Sequence, residues 1–501
     1  MRLEHSFTES FPELAQEATP NIPHGSYVAW VNEPLAQELG LDPAWLATEH
    51  GLRWLTGTHE PESEKDPATF ALAYSGFQFG NLSPVLGDGR AHLTGELVVE
   101  GVSGDAARRV DLHLKGSGIT PFSRPGADGK APLSAVWREA VIGEFFAALN
   151  VPTSRAFAVI NTGEKIYRRA PQPEPAGILV RVAASHVRVG TFQFAQMNLS
   201  EQQRADLVEY ALQRHYGSEI EASEPAALTL LRSVAQRQAD LVAQWMGLGF
   251  VHGVLNTDNV AVSGESIDFG PCAFMDQFRF NAVFSSIDRQ GRYAFGNQPA
   301  ITQWNLARFA ETLLDLIDED PNKAVELGSG VLTGFEERFQ RRWLEVFAAK
   351  LGVKLGDGES ENKRSVLSGF VGRTLNMLER DSLDFTTFFW TLAHEPQQLI
   401  QENDADRASV LRSWLKELES LRATFETTEQ ESQQLMETAN PRYIPRNFAL
   451  DAALRAVEKG DQSEVERLID VLRNPFLTRQ DGADLERVPE NPQNFVSFCG
   501  T

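Results

Sequence analysis

The segment His252–Gly270, which reads HGVLNTDNVAVSGESIDFG, constrains this chain more than any other part of its sequence. Two short apolar runs in it flank the turn-forming sequence Ser-Gly-Glu at positions 263–265, which predicts a small hairpin. Asn259 and Asp268 would then lie at the two ends of that hairpin. An amide oxygen and a carboxylate are ligands that Mg²⁺ accepts in proteins. The segment therefore predicts a metal site.

The same segment has the spacing of a protein-kinase catalytic loop, which is His-x-Asp, four residues, Asn, and later Asp-Phe-Gly. In that pattern Asn259 and Asp268 would hold the magnesium ions that neutralise the phosphates of a nucleotide. The position of the acid that accepts the proton of the substrate hydroxyl is Val254, and valine cannot accept a proton. The segment predicts binding of ATP and metal without ordinary phosphoryl transfer.

Asp258 is the acid in this loop that could replace the missing base. The alternative is that Asp258 only caps or turns the backbone. His252 is expected to brace the loop, because kinases use a histidine at this position mainly for that purpose.

The composition is that of a globular protein. The chain has 501 residues, of which 42% are hydrophobic and 23% charged, so it has the material for a large core. Its formal net charge of −23 argues against binding nucleic acid or anionic membranes, because long-range repulsion opposes both. Without a long apolar run or an apolar signal region, we expect a cytoplasmic protein. Two cysteines are too few for a disulfide framework.

The order of predicted elements indicates an α+β fold with the two lobes of a protein kinase. Residues 1–73 are expected to form an N-terminal extension, and residues 74–183 a lobe made of a sheet and one helix. Residues 184–430 show helical periodicity and predict the second lobe. Residues 431–501 would be a C-terminal extension that ends in a cysteine-containing tail.

The strand RRVDLHLKG carries the first charged residue of interest. Its apolar residues alternate with Asp111, His113 and Lys115, which predicts that these three point away from the core. Glu139 lies on the following helix, off the apolar row of that helix. A hairpin is predicted about the turn sequence at 161–163.

Lys115 and Glu139 have two interpretations. Taken alone, a strand lysine and a helix glutamate are more often solvated surface charges. Because they precede Asn259 and Asp268 in kinase order, they fit the pair that couples a phosphate-contacting lysine to the regulatory helix.

Glycines and arginines supply further candidates. Gly87 and Gly89 would let the backbone approach a nucleotide while Arg90 supplies charge, although isolated glycine motifs are often simple turns. Arg181 and Arg188 fall at the predicted junction of the lobes. They are either a surface pair or phosphate ligands in the cleft, to which the planar guanidinium is suited.

Together, these segments resemble the SelO family over nearly the whole chain from Tyr74 onward. The segments that carry the resemblance are YSGFQFG, LGDGR, DLHLKGSGITPFSR, the WREA helix, RVAASHVRVG, HGVLNTDN, IDFGPCAF and GRYAFGNQPAITQWNL. The resemblance implies a pseudokinase that binds ATP in a reversed orientation. It also implies transfer of AMP to Ser, Thr or Tyr hydroxyls of target proteins, with Mg²⁺, or alternatively Mn²⁺, as cofactor.

The resemblance also implies roles for individual residues. The phosphate-contacting lysine would be Lys115 with Glu139 as its helix partner, and the proton acceptor would be Asp258. The metal ligands would be Asn259 and Asp268. The implied nucleotide contacts are Gly87, Gly89, Arg90, Lys115, Asp128, Gly129, Arg181, Arg188 and Asp268.

The reversed orientation accounts for the missing acid at Val254. If the α-phosphate lies where a kinase holds the γ-phosphate, attack there releases pyrophosphate. Lys115, Arg181 and Arg188 would stabilise the charge on that leaving group.

Two departures from the family pattern affect these roles. Phe77 replaces the usual histidine of YSGHQFG, which puts any role of that histidine in doubt. The loop that reads GADGK has one residue more than the GDGR form, which shifts the loop geometry near Asp128.

Cys272 and Cys499 are either two unrelated reduced thiols or a redox pair. Cys499 lies where some family members carry selenocysteine, and Cys272 follows the IDFGP segment. Our hypothesis is a latch in which the tail folds back and forms a disulfide beside the active site.

Two other functions compete with AMP transfer. One is a small-molecule kinase of the aminoglycoside-phosphotransferase type, whose metal-binding loop is similar but which needs an acid where Val254 stands. The other is a nucleotide-binding scaffold without catalytic activity.

Overall fold

The computed structural model describes residues 3–58, 69–99, 107–168, 172–220, 223–356, 358–401, 405–491 and 495–497. Within these ranges the protein is a mixed α/β structure with a large antiparallel sheet followed by a mainly helical region. The strands are β1 Ala15–Glu17, β2 Tyr27–Val31, β3 Phe70–Leu72, β4 Gly76–Gln78, β5 Asn81–Ser83, β6 Ala91–Val99, β7 Arg108–Lys115, β8 Ala131–Pro132, β9 Arg155–Ile166, β10 Glu174–Ala183, β11 Phe250–Val251 and β12 Ala273–Phe274.

Helices occur from the N-terminus to the C-terminal region. They are α1 Ser6–Ser10, α2 Glu33–Glu38, α3 Pro43–Leu46, α4 Glu49–Thr56, α5 Leu133–Ala148, α6 Val189–Asn198, α7 Glu201–His215, α8 Ala226–Leu248, α9 Gln298–Ala310, α10 Leu314–Ile317, α11 Pro321–Lys350, α12 Glu361–Arg380, α13 Phe385–His394, α14 Ala405–Thr424, α15 Glu429–Ala439, α16 Asn447–Glu458, α17 Ser463–Leu472 and α18 Ala483–Glu486. No helix among the described residues combines the length and the apolar character that crossing a bilayer requires.

The main sheet has the strand order β1-β3-β6-β7-β10-β9-β2, with β8 paired to β10. Strand β7 lies at its centre, where Lys115 pairs with Leu179 of β10 and His113 pairs with Arg181. Helix α5 is buried on nearly all sides against β9 and β10. The central strands and α5 therefore hold the charged residues of the sheet in fixed positions.

Both faces of β7 are buried. Asp111, His113 and Lys115 are all less than 10% exposed, although they alternate with apolar residues as the sequence predicted. A buried charge is costly unless it is paired. The polar face of β7 must therefore contact other charged groups.

The hairpin predicted about residues 161–163 is wrong. Strand β9 continues through these residues, and Asn161 pairs with Tyr27 on one side and Gly177 on the other. A register shift between Pro175 and Gly177 accommodates the turn-like sequence inside the strand. The paired strand beyond it is β10, so the chain reverses later than the sequence indicated.

The turn at residues 263–265 forms, but its flanks do not pair with each other as a hairpin. The amide of Gly264 donates to the carbonyl of Ala261 at 3.1 Å, which closes the turn. Ala261 instead bridges to Arg188, and Ser266 bridges to Thr153. Each flank is thus held by a distant part of the chain.

Both terminal regions pack on the sheet and its helix. Residues 1–73 contribute β1, β2 and β3 to the main sheet, so that sheet extends beyond residues 74–183. In residues 431–501, helices α16 and α17 pack on α5. Arg473, which follows α17, forms an ion pair with buried Glu144 at 3.0 Å and donates to Asn32 at 2.7 Å. The C-terminal region therefore braces the helix that carries Glu139.

Candidate functional site

Four charged residues from four parts of the chain form an ion cluster, in which Lys115, Glu139 and Arg181 are buried and Asp268 is half-buried. Lys115 Nζ contacts Glu139 Oε2 at 2.7 Å and Asp268 Oδ1 at 2.5 Å. Arg181 pairs with Glu139 through its Nε and lies 3.4 Å from Asp268 Oδ1. The structure therefore brings together the strand lysine, the helix glutamate and the Asp-Phe-Gly carboxylate. The interpretation of Lys115 and Glu139 as solvated surface charges is wrong.

The cluster keeps its acids ionised. Burial alone would raise the pKa of Asp268, but Lys115 and Arg181 hold it far below its usual range, and Arg90 lowers it further. The pKa of Glu139 is likewise lowered by Arg181 and Lys115 against the effect of burial. Asp268 also has a left-handed backbone conformation, with φ of 63°, which is rare for a residue other than glycine. The site thus presents a fixed carboxylate between two cations.

Asp258 is buried with few groups that compensate its charge. It is 7% exposed, and one carboxylate oxygen, Oδ2, accepts a hydrogen bond from Gln78 Nε2 at 3.3 Å. The other oxygen, Oδ1, is buried and has no hydrogen-bond partner. Burial raises the pKa of Asp258 to about 6. An acid of this kind can accept a proton near neutral pH.

Gly76 makes room for this carboxylate. A Cβ atom at position 76 would lie 2.3 Å from Asp258 Oδ1, so any side chain at this position would clash with the carboxylate. Strands β4 and β5 form a two-stranded hairpin over the loop, and the amide of Phe77 donates to Thr257 Oγ1 at 2.8 Å. We refer to residues 76–83 as the flap.

Arg188 contacts Tyr74, which precedes the flap, and Asp88 in the loop of Gly87 and Gly89, which we call the glycine loop. Its guanidinium lies over the ring of Tyr74 at 4.3 Å and 4.0 Å from Asp88 Oδ1. The NH1 group also donates to the backbone carbonyl of Asp258 at 3.1 Å. Arg188 is 5% exposed, so the alternative that Arg181 and Arg188 form a surface pair is wrong for both.

Asn259 and Asp268 offer oxygen ligands. Asn259 donates through Nδ2 to the carbonyl of Val254 at 2.8 Å, which directs its Oδ1 away from the loop backbone. His252 hydrogen-bonds to the carbonyl of Ile267 at 3.0 Å and thereby braces the residue before Asp268, as expected. Within the described ranges, no group of three or more His, Cys, Asp and Glu side chains could hold a metal. The donor set fits a cation such as Mg²⁺ that takes its other ligands from phosphates and water.

The glycine loop is packed closely. Gly87 has φ of 65°, and a Cβ atom there would lie 2.3 Å from the ring of Phe122. A Cβ atom at Gly89 would lie 2.9 Å from the carbonyl oxygen of Phe122. Both glycines thus permit the approach of another protein segment, while Arg90 contributes its charge at Asp268.

Asp128 and Gly129 lie in the second loop. Arg168 donates to both oxygens of Asp128 at 2.8 Å, and a Cβ atom at Gly129 would overlap the backbone of Gly118 at 2.0 Å. The contacts found for Asp128 do not include Lys115 or other members of the ion cluster, as far as the described residues show. The structure does not join this loop to the cluster directly.

Sequence reasoning missed a buried polar network behind the site. Asp88 hydrogen-bonds to His113 at 2.9 Å, and the His113 ring stacks on His186 with centroids 4.0 Å apart. His186 then contacts Asp111 at 3.1 Å, and Asp111 pairs with Arg214 at 2.5 Å. The signal for this network was the polar face of β7, which looked solvated because its partners lie far away in sequence.

The structure describes one of the two cysteines, Cys272. Cys272 is fully buried, and burial raises the pKa of its thiol to about 12. Cys499 lies outside the described residues. Ser497, two positions earlier, donates through Oγ to the carbonyl of Pro271 at 2.5 Å, next to Cys272.

Comparison with known proteins identifies the chain. A family model described as "Protein adenylyltransferase SelO" matches residues 2–473. A protein of Chromobacterium violaceum named "Protein nucleotidyltransferase YdiU" is 43% identical over 98% of this chain and 100% of its own length. A protein of the same name from Anoxybacillus flavithermus is 43% identical over 94% of this chain and 93% of its own length.

These matches define the class of the protein, which is an enzyme that transfers nucleotidyl groups. More narrowly, the chain belongs to the SelO family, which its sequence motifs predicted. The interpretation as a scaffold without catalytic activity is therefore not supported.

Proposed function

We propose that the protein transfers AMP from ATP to hydroxyl groups of Ser, Thr or Tyr on other proteins. Residues 74–183 and 184–430 would act as the two lobes of a kinase-like fold, between extensions at 1–73 and 431–501. The support is the ion cluster of Lys115, Glu139 and Asp268, which has the connections of the corresponding kinase residues.

The observation that carries the proposal is the unpartnered Oδ1 of buried Asp258, with a pKa of about 6, in a loop whose kinase position for the acid is Val254. A general base works best when its pKa lies near the operating pH. Asp258 would accept the proton of the attacking hydroxyl. The oxygen of that hydroxyl would form a bond to the α-phosphorus, and the bond from this phosphorus to the bridging oxygen would break.

The leaving group would be pyrophosphate, with ATP bound in the reversed orientation. Its negative charge would be stabilised by Lys115, Arg181 and Arg188, which are all buried and fixed by contacts in the site. Arg90 would contribute to the same field. Gly87, Gly89, Asp128 and Gly129 would shape the loops that enclose the nucleotide.

Mg²⁺, or alternatively Mn²⁺, would be held by Asn259 and Asp268 together with phosphate oxygens. When bound, it would neutralise phosphate charge. Lys115 and Arg181, which now contact Asp268, would be available to the phosphates when Asp268 holds the cation.

Labelled ATP tests the proposal. The protein is incubated with a candidate target and with ATP carrying label at either the α or the γ phosphate. We expect protein-bound label only from the α position, and an added mass of AMP by intact-mass spectrometry. Protein-bound label from the γ position alone would show phosphoryl transfer and contradict the proposal. Transfer of the γ-label to a small molecule, with no α-label on protein, would indicate the rival small-molecule kinase.

We also propose that Cys272 and Cys499 pair under oxidising conditions. The support is the contact of Ser497 with Pro271, which brings the described end of the tail beside Cys272. A disulfide such as oxidised glutathione would accept the two electrons by thiol–disulfide exchange. A count of free thiols with and without reductant checks this pairing, and two free thiols after oxidation would contradict it.

A further inference from the structure

The flap has an inner side that covers the proposed base. Gln78 donates to Asp258, and the amides of Phe77 and Phe79 donate to Thr257 and Asn256 at 2.8 and 3.3 Å. The flap is therefore fixed to the loop that carries Asp258. In the proposed reaction the acceptor hydroxyl must reach Asp258, so the flap lies beside the place where the acceptor segment binds.

An aromatic and cationic cluster lies against the flap. The ring of Phe77 contacts Trp304 of α9 edge to face at 5.4 Å. The guanidinium of Arg292 lies 4.7 Å from the centre of the same indole, and that of Arg308 lies 5.2 Å from it. All four side chains are half-buried. We refer to Phe77, Arg292, Trp304 and Arg308 as the arginine–tryptophan cluster.

The two arginines differ in whether a carboxylate balances their positive charge. Arg308 forms an ion pair with Glu311 at 2.5 Å. In the described part of the chain, the contacts found for the Arg292 guanidinium are with aromatic groups, and no ion pair to a carboxylate is among them. Stacking of a guanidinium on an aromatic ring leaves N–H groups at its edge that suit a carboxylate.

Exposed apolar side chains lie on the flap and just after it. Phe79 is 37% exposed, Leu82 is 45% exposed and Val85 is 60% exposed. The flap and the cluster packed against it thus combine positive charge, aromatic rings and exposed apolar side chains on a chain whose net charge is −23. This combination complements a protein segment that carries both acidic and apolar residues.

We propose that the arginine–tryptophan cluster binds an acidic segment of the target protein beside the hydroxyl that accepts AMP. This inference rests on the proposed function and names the class of acceptor. Arg292 binds a flanking carboxylate and Arg308 adds positive charge beside it, while Phe77 and Trp304 pack against the apolar atoms of the segment. Phe77, which departs from the family pattern, thus belongs to the acceptor side of the site.

Nucleic acid is the competing occupant, because arginine also binds phosphate. The overall charge of the chain repels an extended polyanion, whereas a short acidic segment carries its charge only locally.

Peptide binding tests the inference independently of transfer. Two fluorescent peptides share a central Ser and Tyr and apolar residues, and carry either glutamates or lysines on both sides. Anisotropy titration in the presence of ATP and Mg²⁺ gives the affinity of each. We expect the glutamate peptide to bind at least about tenfold more tightly.

Charge reversal then locates the binding surface. Arg292→Glu should remove most of this preference, Arg308→Glu should remove a smaller part because Arg308 already pairs with Glu311, and the double variant should reverse the preference in favour of the lysine peptide. Arg341→Glu, a charge reversal at an exposed position of α11, is the control and should leave the preference unchanged. Arg292→Gln is a milder variant, and ATP binding by each variant verifies folding.

The outcomes separate the two proposals. Equal affinity for the two peptides, or a preference that survives both reversals, would overturn the acidic segment. Displacement of the glutamate peptide by a short RNA at lower concentration than by the unlabelled peptide would favour nucleic acid and overturn it as well. Failure of the AMP-transfer proposal would instead appear as absence of α-label on any protein, whatever the peptides do.

Discussion

Two aspartates ten positions apart in one segment, Asp258 and Asp268, have opposite electrostatic surroundings. Asp268 lies between Lys115 and Arg181, which keep its pKa far below the usual range. Asp258 has one weak partner in Gln78 and an unpartnered oxygen, and burial raises its pKa to about 6. Desolvation acts on both acids, so the cations decide the difference.

The comparison bears on the two tasks proposed for these acids, which are cation binding at Asp268 and proton acceptance at Asp258. A carboxylate that must hold a cation has to stay ionised, and the ion cluster ensures this before any ligand binds. A carboxylate that must accept a proton needs a higher pKa, and burial provides it at Asp258, where no cation contacts the carboxylate oxygens among the described residues. Four expected results test this difference between Asp258 and Asp268.

The largest effect is expected from Asp258→Asn. Loss of the proton acceptor should lower kcat for AMP transfer by about 10²–10⁴-fold, with the Kd for ATP nearly unchanged. Glu265→Gln is the matched control, because Glu265 is another acid of the same segment whose pKa is raised, to about 7, by desolvation. Activity of Asp258→Asn equal to that of this control would show that Asp258 is not the base.

Lys115→Met should destabilise the protein. Without Lys115, Asp268 and Glu139 lose the cation that contacts both of them, so the free energy of unfolding should fall by about 3 kcal/mol. Urea unfolding at neutral pH measures this. Lys130→Met, which breaks a more exposed strand-lysine pair with Glu164, should cost less than about 1 kcal/mol. Similar losses of unfolding free energy in both variants would mean that the ion cluster contributes no more stability than a partly exposed ion pair.

Asp258→Asn should also stabilise the protein in a pH-dependent way. The wild-type acid has a pKa of 3.8 when unfolded and about 6 when folded, so its ionisation destabilises the fold. The gain should be close to zero at pH 4, grow between pH 4 and 6, and reach about 3 kcal/mol above pH 6. Denaturant unfolding at several pH values checks this, and a gain that does not vary with pH would contradict the raised pKa.

The smallest effect concerns the pH profile of the wild-type enzyme. Because the base must be deprotonated, kcat for transfer should fall about tenfold per pH unit below about 6 and level off above it. Rates measured from pH 5 to 8 at saturating ATP and Mg²⁺ check this. A limb centred near pH 4 would mean that Asp258 is no more basic than an exposed aspartate.

The sequence predicted much of the site because motif order carries chemical identity. The spacing of Asn259 and Asp268 and the order of Lys115 and Glu139 before them indicated nucleotide and metal chemistry, and the motifs identified the family. The fold was predicted less well. Strand β9 passes through a turn-like sequence because β2 and β10 pair with it on both sides.

The polar face of β7 shows a second limit. The alternation of polar and apolar residues showed which side chains share a face of β7, but it did not show which groups cover that face. His186 and Arg214 come from elements far along the chain, and they convert an apparently solvated row into a buried network.

The sequence by itself determined which functional groups the protein has and to which family it belongs, because residue type and spacing are local properties. Only the folded chain shows that Lys115 and Arg181 keep Asp268 ionised, and that no cation contacts the carboxylate oxygens of Asp258 among the described residues. Burial and the positions of distant charges set a pKa, and both arise only when strands, helices and loops from separate parts of the chain come together.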